Sequence, residues 1–266
     1  MKRLCAIAIA TLASAQALAV GNLADVSVTD RDTGETLSVY RSRGDYWVAG
    51  RPGARYAINI RNQGSARLMA VTSVDGINVI SGESAGYGQS GYVFDSWAGY
   101  DITGWRKSNQ QIAAFTFTSV PKSYAARTGR PENVGVIGVA LFRERAYPPI
   151  AMAQGSAAAP ARAEESAADA AGSLRSESEA TSKDSSRQDS SRKAAAPSLG
   201  TGHGQRETSV VVNVNFEREQ PQPNEVIRIR YDSRENLVAM GVIRANPPRR
   251  PQPFPGEQQL SYVPDP

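Results

Sequence analysis

Leu68-Met69-Ala70-Val71-Thr72-Ser73-Val74-Asp75-Gly76-Ile77-Asn78-Val79-Ile80 holds two apolar runs around an Asp-Gly pair. Both runs are short, rich in small and β-branched residues, and stopped by Ser81-Gly82, which suits buried strands better than a helix. Asp75-Gly76 offers the positive φ values that a type I′ turn demands, so the stretch predicts a tight hairpin. Downstream, Gly91-Tyr92-Val93-Phe94 and Tyr100-Asp101-Ile102 read as two further strands. Residues 112–120 then alternate, with Ala113, Phe115 and Phe117 on one face and Ala114, Thr116 and Thr118 on the other, the period-two signature of a strand. Val134-Gly135-Val136-Ile137-Gly138-Val139-Ala140-Leu141-Phe142 is apolar on both faces, as a central strand covered on both sides should be. Its glycines mark a bulge or close approach of another backbone.

Upstream, Asp25-Val26-Ser27-Val28-Thr29 and Thr36-Leu37-Ser38-Val39-Tyr40 alternate and are joined by a Gly34-containing loop, which predicts a hairpin. Tyr46-Trp47-Val48-Ala49 and Tyr56-Ala57-Ile58-Asn59-Ile60 are two more strands, with Pro52-Gly53 as the turn between them. Strands recurring about every ten residues with turn signals between them predict a mainly antiparallel β-sandwich, jelly-roll or Ig-like.

The chain divides by composition. Lys2-Arg3, an apolar stretch too short to span a bilayer, and Ala17-Leu18-Ala19 give residues 1–19 the form of a secretory signal peptide cut after Ala19. The only cysteine, Cys5, lies in that leader, so the mature chain is expected to lack disulfides and thiol ligands. Loss of Lys2 and Arg3 lowers the formal net charge from +4 to +2, a balance that argues against nucleic acid as a partner. Residues 20–147 form the sandwich. Residues 148–198 are Ala/Ser-rich and without aromatics after the opening prolines, a disordered tether. Residues 199–246 return to order as a short β segment, too small to fold alone and so expected to pack on the first domain. Within it, Val210, Val212, Val214 and Phe216 predict one strand face, and Ile227, Ile229 and Tyr231 another. Asp232, Glu235 and Gly241 fit the start and stop of a short helix, with a strand over residues 237–243 as the rival. Residues 247–266 are a Pro-rich, disordered tail. The mature chain contains no transmembrane segment by this reading, and a periplasmic or secreted location follows from the leader.

Few motifs promise chemistry. Gly86-Tyr87-Gly88-Gln89-Ser90-Gly91 matches G-x-G-x-x-G, but a strand follows it where a dinucleotide site needs a helix. Asp30, Asp32 and Glu35 have the look of a cation loop, yet lack the later ligands an EF-hand supplies, and a hairpin turn explains them. Arg43-Gly44-Asp45 is explained by a turn. His203 is the sole histidine, which disfavours a hydrolase triad or a His-based metal site, though it remains a candidate binding residue. No cofactor is implied. Asp75, Glu83, Asp95 and Asp101 are the acids from which a carboxylate pair could be drawn. Tyr87, Tyr92, Trp97 and Tyr100 surround the loops, and if exposed they offer a stacking platform or a protein hot spot. Trp97 is the best placed for exposure and Trp105 the best placed for the core.

Three stretches carry a family resemblance: Ser73-Val74-Asp75-Gly76-Ile77-Asn78-Val79-Ile80-Ser81-Gly82, Asp101-Ile102-Thr103-Gly104-Trp105-Arg106-Lys107-Ser108, and Tyr124-Ala125-Ala126-Arg127-Thr128-Gly129-Arg130-Pro131-Glu132-Asn133-Val134-Gly135-Val136-Ile137-Gly138. Through them the chain resembles a family of exported proteobacterial proteins with no established activity, and Leu199-Gly200-Thr201-Gly202-His203-Gly204 extends the likeness into the return segment. The resemblance implies export and a shared fold, and carries no catalytic residue. The expectation is a non-catalytic binding or structural module of the cell envelope, meeting an envelope protein or a cell-wall glycan. A carboxylate-dependent glycan hydrolase is the alternative.

Overall fold

The computed structural model describes residues 19–146 and 196–245. Apart from Ala19 and residues 196–198, the expected leader, tether and tail lie outside them. The described strands are β1 (Ala24–Asp30), β2 (Val39–Ser42), β3 (Asp45–Gly50), β4 (Tyr56–Asn62), β5 (Leu68–Val74), β6 (Ile77–Asn78), β7 (Tyr92–Phe94), β8 (Gly99–Ile102), β9 (Gly104–Arg106), β10 (Gln111–Ser119), β11 (Val136–Arg143), β12 (Leu199–Thr208) and β13 (Glu225–Ser233). Two short helices, α1 (Tyr124–Arg127) and α2 (Arg234–Ala239), follow β10 and β13.

The protein is mainly β, and its sheets pack on one another as in a sandwich. One layer is a seven-stranded sheet in the order β2-β3-β13-β11-β5-β6, with β7 also on β5. The other comprises β1-β4-β8 and β12-β10-β9, joined where Arg55 bridges to Thr116. A common core unites them: Val26 and Val28 from β1, Ile58 and Ile60 from β4, Phe115 and Phe117 from β10, Ile137, Val139 and Leu141 from β11, and Ile227, Ile229 and Tyr231 from β13. Burial of these side chains is the main favourable contribution to folding, at about 1.5–3 kcal/mol for each large one.

The Leu68–Ile80 stretch forms the expected hairpin, with Asp75 at φ 54° and Gly76 at φ 75°. β11 pairs with β5 on one edge and with β13 on the other, so it is central. Its outer face is also covered at one end, where Ala140 and Phe142 join Met69 and Val71 under Phe216. β13 alternates as read, with Ile227, Ile229 and Tyr231 buried and Arg228 and Arg230 exposed.

The structure corrects the sequence reading in four places. β13 runs parallel to β3, with Ile229 opposite Tyr46, so the large sheet is mixed. β1 takes β4 as its strand partner, and only a bridge at Thr29–Thr36 remains of the expected first hairpin. Residues 210–216 form no strand, and Val210, Val212 and Val214 are 70%, 78% and 52% exposed. Period two reports an extended backbone with unlike faces; it does not supply a neighbouring edge to pair with. The helix after β13 is capped by Ser233, which accepts from the Asn236 amide, because Asp232 is turned elsewhere. Asp232 Oδ1 instead accepts from the amides of Leu199 and Ser233 and from Asn236 Nδ2, fastening the start of β12 to α2.

Candidate functional site

Two polar regions and one groove hold the residues capable of chemistry. The first lies beneath the β5–β6 turn. Asp75 is buried, and its Oδ1 accepts from the Tyr231 hydroxyl at 2.5 Å and the Gly135 amide at 2.9 Å. Its Oδ2 accepts from the Thr201 amide at 2.8 Å. Thr201 Oγ1 lies 2.7 Å from the Tyr231 hydroxyl and 2.6 Å from that of Tyr56. One donor direction satisfies the set: Tyr56 donates to Thr201, Thr201 to Tyr231, and Tyr231 to Asp75. Burial pushes the Asp75 carboxyl above the usual carboxylate range despite its three donors. Burial and then the Asp75 charge push both tyrosines well up. A closed set of this kind has no vacancy for a substrate. It joins β4, the β5–β6 turn, β12 and β13, and so ties the return segment to the rest of the fold.

The groove lies between β7–β8 and residues 209–214, and measures about 930 Å³. Ile80, Tyr92, Phe94, Tyr100 and Ile102 supply apolar wall, while Arg67, Asp95, Asp101 and Arg106 supply charge. Arg106 pins the near end of the groove. Its Nε and one terminal nitrogen donate to the Tyr92 hydroxyl, and its other terminal nitrogen donates to the Ser209 carbonyl at 2.6 Å. Asp101 accepts from Asn59 Nδ2 at 2.6 Å. Beyond Val211, whose amide donates to the Asn109 carbonyl at 2.8 Å, the backbone N–H groups of residues 212–216 have no partner among the described residues.

The aromatic candidates separate. Tyr92 and Tyr100 share this groove. Trp97 sits on the turn between β7 and β8, 58% exposed, in the left-handed region at φ 61°. A non-glycine residue there costs roughly 1–2 kcal/mol, yet the ring gains little cover in return. Tyr87 lines a different cavity of about 560 Å³ on the outer face of the large sheet, with Val71, Val136, Arg228 and Arg230. His203 lies on β12, in the other layer.

The remaining candidates are accounted for locally. Asp30 accepts from the Asp32 and Thr33 amides and from Arg51, and Asp32 from Arg55. The Arg55 hydrogen bonds hold the Asp32 carboxyl below its usual range. These oxygens are turned to guanidinium groups, and among the described residues no group of three or more metal-binding side chains, Asp30, Asp32 and Glu35 included, forms. Gly86–Gly91 is a loop leading into β7. Arg43 and Gly44 form a positive-φ turn, and Asp45 accepts from Arg230 at 3.0 Å. Of the four acids, Asp75 is sealed, Glu83 accepts from Gln89 at 3.3 Å, and Asp95 and Asp101 both face the groove.

Sequence reasoning missed the groove's second wall, because residues 210–216 read as a paired strand. It also missed a basic patch beside His203, formed by Lys107, Arg127 and Arg206. Lys107 was legible as the next residue after Trp105 on the same face; Arg206 was not, because a bulge changes its face. Comparison with family models, with curated proteins and with solved structures finds no match. No described helix is long and apolar enough to cross a membrane.

Proposed function

We propose that this chain is a non-catalytic, exported binding or structural module of the bacterial cell envelope, and that it holds an extended polypeptide segment of an envelope protein in the groove beside residues 209–214. The observation that carries this reading is the unpaired wall. A stretch of backbone with unpaired N–H groups, β-branched side chains in solvent and aromatics opposite is what strand addition uses. Main-chain bonds to the wall would supply affinity, and Tyr92 and Tyr100 would read side chains of the bound segment. Trp97, exposed and strained on the turn between β7 and β8, would serve as an anchor. Asp95 and Asp101 in the same groove give the glycan hydrolase its specific support.

The test is photocrosslinking in intact cells, with the reactive amino acid at Val214 in one variant and at Tyr100 in another. One envelope protein captured through both walls, and lost on Trp97→Ala, is the expected result. Adducts to glycan alone, or no adduct at either position from correctly exported protein, would overturn it. If instead purified cell-wall glycan is cleaved by wild type and not by Asp95→Asn or Asp101→Asn, the hydrolase reading takes its place.

A further inference from the structure

The second polar region stands apart from the groove and is built from β9, β10, β12 and α1. β9 pairs with β10 so that Trp105 faces Ala113, and Lys107, whose amide donates to the Gln111 carbonyl, continues the Trp105 face two residues on. On the other side of β10, His203 is opposite Phe115, while Arg206 is opposite Ala113. Three residues of β12 thus answer two of β10, and this bulge brings Arg206 onto the face of His203. Tyr124 and Arg127, three apart, share a face of α1. The Tyr124 ring packs on Trp105 at 4.9 Å and on His203 at 5.9 Å between centroids, and Lys107 Nζ lies 5.6 Å from its centre.

Lys107 and His203 therefore meet at one half-buried ring, and Arg127 and Arg206 lie close enough for their charges to act on His203. Burial and the charges of Lys107, Arg127 and Arg206 hold the His203 imidazole below its usual range, and no carboxylate opposes them. Lys107 is lowered likewise, by burial and by Arg206. Elsewhere, Arg31, Arg51, Arg55, Arg67, Arg145 and Arg230 each meet an acid. Here Glu207, next in sequence to Arg206, is turned to Arg31 and Arg55. Like charges gathered without an internal counter-charge disfavour the fold locally. The bulge brings one more cation to the group, and the side-chain contact Arg206 makes is a long one to neutral Gln111 Oε1, at 3.5 Å.

We propose that Lys107, Arg127, His203 and Arg206 form a binding site for a phosphate group, with Tyr124 as its floor. Two guanidinium forks, an ammonium and an imidazolium match a tetrahedral oxyanion carrying more than one charge. The group is either free phosphate or the phosphate of a lipid headgroup.

His203 is the only histidine of the chain, so one imidazole resonance reports the site without assignment. Its titration midpoint is followed by NMR in the full mature chain, with inorganic phosphate, with phosphatidylcholine vesicles, and with vesicles also containing phosphatidylglycerol, all at one ionic strength. The expected result is a saturable upward shift of the midpoint with phosphate, with the phosphatidylglycerol vesicles, or with both. Arg206→Gln and Lys107→Gln should each weaken the response about tenfold, a loss of one charge-assisted contact, while Arg143→Gln on β11 leaves it intact. A shift with vesicles alone identifies the headgroup as the source; a shift with free phosphate shows that no lipid is needed. No shift in any arm, or an equal shift when sodium chloride replaces phosphate, overturns the site. The groove variant Trp97→Ala should bind phosphate normally, which separates this result from the polypeptide reading.

Discussion

The two ends of β12 treat polar groups in opposite ways. At Thr201 a buried carboxylate, two phenols and a hydroxyl satisfy one another completely. A few residues on, at His203 and Arg206, cations crowd one surface with no acid among them. Both lie on a single sheet face, in continuous register from Thr201 to His203, with a β-bulge between His203 and Arg206. The difference teaches what each is for. A network with every donor matched is a structural joint, whose removal costs stability, whereas like charges left unmatched in solvent weaken the fold slightly and are free to receive something.

The largest expected effect breaks the first half of this contrast. Asp75→Ala strands the Tyr231 hydroxyl and the amides of Gly135 and Thr201 inside the core, and should cost about 3 kcal/mol or more in urea unfolding. A loss below about 1 kcal/mol would show that water enters and replaces the carboxylate. Thr201→Val keeps the shape but leaves both tyrosines one partner short, with an expected loss of about 1–2 kcal/mol.

Acidity separates the two ends by sign. The folded Asp75 carboxyl is raised, so its contribution is full below the carboxylate range and is lost as pH climbs through the folded value. Asp75→Asn should remove that limb of the stability–pH curve. The folded His203 imidazole is depressed, so its contribution is present above the ordinary imidazole range and is lost as pH falls through the folded value. His203→Gln should flatten that second limb only. Two limbs of the same sign would break the comparison.

Smallest of all, Lys107→Gln or Arg206→Gln should leave the urea midpoint unchanged or slightly higher at low salt, and the gain should vanish in high salt as screening removes the repulsion. A clear loss of stability from either would make the cluster structural after all.

The sequence disclosed those features that depend on neighbours along the chain. The Asp75-Gly76 turn, the two-faced β11 and the alternation of β13 follow from local sterics and burial. The choice of partners did not. Nothing near Val210 or Val212 records that the adjacent edge has run out, and the bulge that turns Arg206 arises from a mismatch with β10, far away in sequence. Asp75 was read correctly as a turn residue, but its burial depends on Thr201 and Tyr231, which arrive only when the return segment is placed. The groove was half legible: Tyr92 and Tyr100 were singled out, while the part of Arg106 in it and the service of residues 209–214 as its second wall were not.

The position of β13 bears on how such a molecule can be made. It lies between β3 and β11 in the middle of the large sheet, and pairs Ile229 with Tyr46 from the opposite end of the chain. A contact so distant in sequence demands costly loop closure and comes late. Until residues 225–233 are in place, β3 and β11 each present an open edge to any passing strand. β13, the last strand among the described residues, is thus a keystone. A chain emerging N-terminus first would remain open to mispairing until residues 225–233 had emerged, and would gain from being held apart from its fellows until then.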